Sequence, residues 1–291
     1  MTVRPGAELV TPWPLRSSPY VDRARSAAID WMRSFGLMRD EHSVREFTDR
    51  RLAEAAGFFY PDAGAVDSAV AAQLMGWCFL PFDDRPGASR HSGLSPDVCG
   101  RLVAVVHGES AGRPGSRSVV AFEDLWRRMT RGMSASLLAR LRRHWSSYFS
   151  SRLSGAVDRR PRRTFTDLDA YFSLRAATTC ALGQNDLAEH WGGTEVPPAL
   201  WHHPLPARMR GLVADLVARR ADGTGPHACG RGDAAQRTVD RLVVLEETAL
   251  PRLARRLDPG HRTALRGYAD ILHNRIVGDH EWRRLVTPAD P

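Results

Sequence analysis

The sequence predicts an all-α protein, and three observations indicate this fold class. Apolar residues recur at helical spacing along most of the chain, beginning with Ala24, Ala28 and Trp31. No stretch of useful length alternates apolar and polar residues as a half-buried strand does. The 291 residues, 43% of them hydrophobic, suffice for one large core, and the segments between helices are too short to separate domains. We therefore expect a single helical domain.

The helices are predicted in chain order from the apolar spacing and from the Gly and Pro residues that interrupt it. An extended, proline-rich segment 1–19 comes first, the α domain spans 20–287, and a short tail 288–291 follows. Gly and Pro crowd residues 222–233, so we expect a loop or a shortened helix there. The predicted helices cover roughly 21–35, 43–56, 65–82, 96–107, 119–133, 134–153, 164–187, 207–221, 234–257 and 260–277.

Composition excludes several classes of function. The net charge is +8 and the chain has no Lys, which excludes Schiff-base and lysine general-base chemistry. The Arg residues are spread along the chain, with one concentrated run at 159–163, so we expect no nucleic-acid partner. The four cysteines form no CxxC pair, which argues against a zinc site or a disulfide framework. No apolar run is long enough to span a bilayer and no signal pattern is visible, so we expect a cytoplasmic protein.

The most informative stretch is the run from Gly76 to Asp84, in which an apolar, aromatic helix ends in two adjacent carboxylates. Asp83 and Asp84 repel each other unless a cation lies between them. Mg²⁺ binds such carboxylates, often together with a substrate phosphate. The alternative for an isolated pair of aspartates is a helix that ends at the surface with both side chains in water.

Three aromatic residues precede the two aspartates and have two possible roles. Phe79 lies one turn before Asp83 and so shares its face of the helix, which favours a position in a pocket. Trp77 and Phe82 either line the same pocket or pack between helices, and the spacing alone leaves both roles open.

Seven pieces of the chain, taken together and in order, resemble the bacterial class I terpene synthases, enzymes of secondary metabolism. The resemblance covers almost the whole chain and implies a helical barrel around an apolar, aromatic pocket. In this family, two metal-binding motifs at the mouth of the pocket hold three Mg²⁺ ions, which withdraw diphosphate from an allylic prenyl substrate. The pieces are Trp31 with Gly36-Leu37, Tyr60-Pro61, Trp77 through Asp84, Trp145, Tyr171 through Arg175, Gly193 through Pro197, and Gly278 through Trp282.

The resemblance assigns roles to individual residues. It implies that Asp83 bridges metal ions and that Asp84 orients it. It also implies that Arg175 senses the diphosphate, whose oxygens suit the fork of an arginine; an ion pair with Asp169 is the alternative for this side chain. The expected substrate-binding residues are Phe58, Trp77, Phe79, Phe82, Tyr171, Thr178, Thr179 and Asp222, with the two threonines at the family's helix break.

The chain departs from the family pattern mainly in the second metal-binding motif. At the family's usual spacing after Arg175, the positions of the Asn, Ser and Glu ligands are occupied by Ala221, Gly225 and Cys229. Asp222 remains, but it is not normally a direct ligand. Ala and Gly have no side-chain donor atoms, so a normal third-metal site cannot form.

Two other departures affect the ends of the motifs. Arg85, Pro86 and Gly87 follow the two aspartates, so the acidic residue that usually completes the first motif is missing. An alternative frame for the second motif, residues 214–222, also lacks Asn and Ser, and Ala289-Asp290 stand where the family has an Arg-Tyr pair.

These observations give three hypotheses of function. The first is a non-canonical terpene cyclase that acts on a prenyl diphosphate with an incomplete Mg²⁺ site. The second is a repurposed, metal-independent cyclase of a neutral polyene or late biosynthetic intermediate, with Asp83 or Asp84 as an acid. The third is a non-catalytic ligand-binding homologue. The expected partner is a small-molecule isoprenoid or polyene, and a homodimer is compatible with the sequence.

Overall fold

The computed structural model describes residues 9–79, 95–110, 116–157, 180–221 and 231–286. Within these ranges every regular element is a helix, which confirms the all-α prediction. The helices are α1 Val21–Ser34, α2 Glu41–Asp49, α3 Leu52–Phe59, α4 Ala65–Phe79, α5 Pro96–Val106, α6 Arg117–Met129, α7 Ala135–Val157, α8 Ala181–Trp191, α9 Pro198–Trp201, α10 Pro204–Ala221, α11 Arg231–Thr248, α12 Leu250–Ala254 and α13 Pro259–Val286.

Helix α4 lies at the centre of the larger of two apolar clusters and contacts α1, α3 and α6. Its residues Leu74 and Met75 are fully buried. At Gly76 an added Cβ would lie 2.6 Å from the Met32 Sδ of α1, so glycine permits the close approach of these two helices. The core thus fixes the direction in which α4 runs toward the two aspartates.

The second apolar cluster is formed mainly by α10, α11 and α13. Helix α13 joins the two clusters, because Leu272 and Ile276 belong to the second while Ile271 and Trp282 belong to the first. Among the helices described, none is long and apolar enough to cross a membrane.

The prediction of one helix over 43–56 is wrong, because the structure has two helices there with a break at Arg50 and Arg51. Arg51 adopts a left-handed conformation with φ of 51°, which is uncommon for a residue other than glycine. The indole Nε1 of Trp282 donates a hydrogen bond of 2.7 Å to the Arg50 carbonyl oxygen. A partner from the other end of the chain therefore stabilises the break.

Three further differences concern helix ends. The short helix α9 lies between the predicted helices 164–187 and 207–221, and the predicted helix 234–257 is divided into α11 and α12 at Ala249. Helix α8 begins at Ala181 and ends at Trp191, so only the end of the predicted helix 164–187 lies in the structure. The Gly/Pro-rich stretch from 222 to 230 and the expected tail lie outside the described residues.

Helices α3 and α13 approach each other closely at Gly278. A Cβ at this position would lie 2.8 Å from the Phe58 Cβ and 3.2 Å from the Phe58 carbonyl oxygen. One of these atoms belongs to the backbone, so neither helix accommodates a side chain there without a shift. Glycine at 278 is therefore a requirement of the packing.

We predict that Gly278→Ala destabilises the fold by about 1–3 kcal/mol, because the added methyl group overpacks the α3–α13 contact. Urea unfolding measures this change.

The matched control is Gly211→Ala in α10, where no atom lies within 4 Å of an added Cβ. This change should leave stability unaltered or raise it by about 0.5–1 kcal/mol, as expected for an exposed helical glycine. Equal effects of the two substitutions would contradict the proposed close approach.

Candidate active site

Most residues expected at the site lie outside the described residues. These are Phe82, Asp83, Asp84, Tyr171, Arg175, Thr178, Thr179 and Asp222, and the side chain of Phe79 lies outside them as well. The structure describes the flanks of these segments: α4 ends at Phe79, four positions before Asp83, and α8 begins just after Cys180, which follows Thr179. The assignments to those residues stay predictions.

Trp77 packs between helices. Its indole Nε1 donates a hydrogen bond of 2.9 Å to the Ser118 carbonyl oxygen of α6. Its ring lies against Phe122 of α6 and against Trp145 and Phe149 of α7. Trp77 is only 2% exposed, and these contacts correspond to the packing alternative for this residue.

The end of α3 carries three aromatic residues that face α13 and α8. Phe58 is 8% exposed, and its backbone lies against Gly278. The Phe59 ring meets the Trp282 ring edge-on, at 6.2 Å between centroids. The Tyr60 ring meets Trp191 of α8 in the same manner at 4.8 Å.

Arg275 of α13 is a buried cation in this aromatic neighbourhood. Its side chain lies over the Phe59 ring, with Cζ 4.0 Å from the ring centroid. The residue is 7% exposed, and its Nε and Nη1 have no hydrogen-bond partner within the described part of the chain. Burying a charge without a partner is costly, so Arg275 differs from an ordinary structural arginine.

The hydroxyl of Tyr60 is a second buried polar group without a hydrogen-bond partner in the described ranges. Burial raises its pKa well above the ordinary value, so the hydroxyl keeps its proton and remains a donor. Arg275, Cys180 and Cys78 all lie within electrostatic range of this hydroxyl. Cys78 and Cys180 flank the two undescribed segments.

A separate ionic cluster joins α7 to α8. Arg140 Nε lies 2.8 Å from Asp186 Oδ1, and Arg140 Nη2 lies 2.6 Å from Glu189 Oε2. His144 Nδ1 lies 2.6 Å from Asp186 Oδ2. The backbone N–H of Val196 donates to Glu189 Oε2 at 2.9 Å. Part of the Gly193–Pro197 motif is thus held by this cluster.

An aromatic residue extends the cluster toward α10 and α13. The Trp201 ring is contacted by two guanidinium groups, Arg140 at 3.8 Å and Arg210 at 3.6 Å from its centroid. Arg210 Nη1 also donates a hydrogen bond of 3.3 Å to the Tyr268 hydroxyl oxygen. These contacts tie five helices together, which is a structural role.

Two carboxylates share Arg140, and this arrangement alters the protonation of one of them. Burial raises the pKa of Glu189 to about 7, while the Arg140 guanidinium opposes the shift. The carboxyl group is therefore partly protonated near neutral pH, and Asp186 is the other carboxylate that faces Arg140.

The comparisons with known proteins agree with the resemblance in the sequence. Residues 81–222 match the family model described as terpene synthase family 2, C-terminal metal binding. The chain is 31% identical to R-linalool synthase from Streptomyces clavuligerus, over 95% of this chain and 91% of that enzyme. The chain belongs to the bacterial class I terpene synthase family.

Two other relatives of this terpene synthase extend the comparison. A (−)-β-caryophyllene synthase from Saccharothrix espanaensis, described as cyclising (2E,6E)-farnesyl diphosphate, is 33% identical over 71% of this chain and 59% of that enzyme. The crystal structure of linalool/nerolidol synthase from Streptomyces clavuligerus, in complex with 2-fluorogeranyl diphosphate, superposes with a TM-score of 0.76. Its sequence is 31% identical, with 95% of this chain and 98% of that chain covered.

The family model that matches this terpene synthase is a metal-binding one, and the donor set predicted from the sequence fits Mg²⁺ at the first motif. Asp83 and Asp84 supply carboxylate oxygens, which Mg²⁺ prefers. The place of the second motif stays a prediction. In the frame that begins at Ala221, the last residue of α10, the three ligand positions have no side-chain oxygen, whereas the alternative frame 214–222 ends at Asp222. In the described ranges, no group of three or more His, Cys, Asp or Glu side chains is arranged to hold a metal ion.

Two features of the site were not singled out from the sequence, Arg275 and the polar role of Tyr60. The signal for Arg275 is a single arginine of α13 whose helical neighbours Leu272 and Ile276 are apolar. A lone arginine on an apolar face is easily read as a surface residue whose stem is buried. Only its burial and its lack of a partner distinguish it.

We predict that the contribution of Glu189 to the stability of the fold falls as pH rises from about 4.5 to about 7. Its pKa is raised on folding, so the folded state binds more protons and the stabilisation is complete only below the unfolded pKa. Glu189→Gln should remove a contribution on the order of 2 kcal/mol from this pH dependence.

Urea unfolding at several pH values measures this contribution as the difference between the wild type and the variant. The exposed glutamate in α11, changed by Glu247→Gln, is the control and should keep the wild-type slope. An unchanged slope in Glu189→Gln would contradict the shifted pKa.

Proposed function

We propose that this terpene synthase is a non-canonical cyclase that folds and cyclises an isoprenoid in an apolar pocket. Its substrate is a prenyl diphosphate, and its Mg²⁺ site is incomplete. The observations that carry the proposal are the match to R-linalool synthase over 95% of the chain and the 33% identity to a synthase described as cyclising farnesyl diphosphate. The retained Asp83, Asp84 and Arg175 provide the charges that diphosphate chemistry requires.

The substrate class follows from what two relatives bind or act on. One is described by its action on farnesyl diphosphate, and the other was solved with a fluorinated geranyl diphosphate. Both ligands combine an apolar isoprenoid chain with a diphosphate. To bind such a ligand, this protein needs an apolar pocket for the isoprenoid chain and positive charge for the diphosphate.

The residues of this chain divide these two tasks. Asp83 and Asp84 hold Mg²⁺, which when bound offsets the charge of the diphosphate and so weakens the carbon–oxygen bond. Arg175 binds phosphate oxygens through its planar fork. Phe58, Phe79, Phe82 and Tyr171 exclude water and present aromatic faces to positive charge on the substrate. Thr178, Thr179 and Asp222 complete the expected binding residues.

A second candidate function follows from the altered second motif. With Ala221, Gly225 and Cys229 at the ligand positions, the pocket is suited to a neutral polyene that needs no diphosphate release. Asp83 or Asp84 then acts as the acid that starts cyclisation. The two candidates predict opposite responses to metal removal.

We predict that the protein converts at least one of the C10, C15 and C20 prenyl diphosphates when Mg²⁺ is present, and that EDTA abolishes this turnover. Product analysis and release of diphosphate measure the reaction. Turnover of a neutral polyene that persists in EDTA would instead establish the second candidate.

We also predict that Asp83→Asn and Arg175→Ala each lower kcat/KM by about 100-fold or more, because few charged groups remain to stabilise the departing diphosphate. Controls are Asp22→Asn and Arg127→Ala, whose exposed side chains each form a surface ion pair. These should retain wild-type activity. Equal activity of Arg175→Ala and wild type would argue against diphosphate chemistry.

A further inference from the structure

Arg275 is a buried cation that lacks the partners a buried cation normally has. Its residue is 7% exposed, and Nε and Nη1 have no hydrogen-bond partner within the described ranges. The Phe59 ring beneath the guanidinium provides a cation–π contact at 4.0 Å. Such a contact attracts a cation but supplies no hydrogen-bond acceptor in the plane of the fork.

The other arginines that stack on aromatic rings in the described ranges have acceptors for their guanidinium groups. Arg210, over Trp201, donates to the Tyr268 hydroxyl and to the Trp201 carbonyl oxygen, and the rest pair with carboxylates. Arg140, over Trp201, pairs with Asp186 and Glu189. Arg128, over Trp31, pairs with Asp124 at 2.7 Å. Stacking on a ring therefore accompanies charge pairing at these two positions, whereas among the described residues Arg275 has the ring contact and no carboxylate partner.

The nearest carboxylate along α13 is already engaged. Asp279 lies one turn after Arg275, but both of its oxygens accept hydrogen bonds from Arg283, at 2.8 and 3.1 Å. Asp279 is 2% exposed, so it has little freedom to turn toward another partner. The charge of Arg275 is thus left for a group that is not part of the described chain.

The position of Arg275 indicates which group that is. Together with Cys78 and Cys180, it lies within electrostatic range of the Tyr60 hydroxyl. Cys78 precedes Asp83 by five residues, and Cys180 follows Arg175 by five. The contacts agree with this placement, because Arg275 lies over Phe59 and the neighbouring Tyr60 ring meets Trp191 of α8. Helices α4 and α8 adjoin the segments to which diphosphate binding is assigned.

We propose that the Arg275 guanidinium and the Tyr60 hydroxyl bind phosphate oxygens of the substrate diphosphate. This inference rests on the proposed function, in which the substrate is a prenyl diphosphate. Arg275 supplies N–H donors and a positive charge, and Tyr60 supplies one O–H donor. The guanidinium thereby supplies part of the positive charge that Mg²⁺ held by a complete second motif would provide.

An anionic oxygen group fits this site better than a neutral one. A neutral hydroxyl or carbonyl satisfies the donors but leaves the buried charge uncompensated, whereas a phosphate does both. A free carbocation near the guanidinium is disfavoured by repulsion between like charges. The site is therefore suited to the diphosphate end of the substrate and not to its hydrocarbon chain.

The test measures binding of inorganic pyrophosphate by calorimetry, once with Mg²⁺ and once with EDTA, at constant ionic strength. We expect Arg275→Met to weaken binding by about tenfold or more in both buffers, as for the loss of a charged hydrogen bond. Arg275→Lys should retain part of the affinity, because it keeps the charge but loses the fork. Tyr60→Phe should weaken binding by a smaller factor.

The matched control is Arg128→Met, which also removes a guanidinium from an aromatic ring but leaves the pyrophosphate site untouched. Its affinity for pyrophosphate should equal that of the wild type.

Thermal unfolding separates an effect on binding from an effect on folding. Arg275→Met removes an unpaired buried charge, so its melting temperature without pyrophosphate should equal or exceed the wild-type value. If Arg275→Met fails to fold, Arg275→Lys and Tyr60→Phe decide the matter.

Unchanged pyrophosphate affinity in the Arg275 variants, or no binding by the wild type in either buffer, overturns the inference. Its failure is distinct from failure of the proposed function. If the wild type converts a prenyl diphosphate and Arg275→Met does so with the same kcat/KM, only the inference fails. If Arg275-dependent pyrophosphate binding is found but no prenyl diphosphate is converted, only the proposed function fails.

Discussion

The contact between α3 and α13 determines much of what surrounds it. Because residue 278 is glycine, the two helices approach until the Phe58 backbone touches α13. The same face of α13 brings Arg275 over Phe59 and directs the Trp282 indole to the Arg50 carbonyl, where α2 and α3 separate. A larger side chain at 278 would move all three contacts together. Packing at one position thus controls a helix break, an aromatic cluster and the placement of a buried charge.

The buried arginines Arg140 and Arg275 have different surroundings in this fold. Arg140 is surrounded by Asp186, Glu189 and the Trp201 ring, and the cluster ties α7 and α8 to the loop that follows. Arg275 has an aromatic ring beneath it but no acceptor in the described ranges. Removing one member of a satisfied network leaves its partner unpaired and costs stability. The Arg275 guanidinium has no such partner in the described ranges, so its burial adds no stability through charge pairing. This favours a role in ligand binding.

The fold class and most helices were predictable from the sequence because they depend on local spacing of apolar residues. The break at Arg51 was not, because it depends on Trp282, which is far away in the sequence. Trp77 shows a similar limit: its spacing allowed a pocket or a packing role, and the neighbours that show packing come from α6 and α7. Arg275 was missed because burial and the absence of a partner are properties of the assembled helices.

The central claim is our proposal that this terpene synthase handles a diphosphate with fewer metal ions than its family. It rests on the prediction that Ala221, Gly225 and Cys229 occupy the ligand positions of the second motif. The most direct test counts the Mn²⁺ ions bound per chain in the presence of a prenyl thiodiphosphate that does not ionise, by electron paramagnetic resonance of free Mn²⁺. We expect fewer than three tightly bound ions, and loss of those remaining in Asp83→Asn. Three tightly bound ions per chain would contradict the claim.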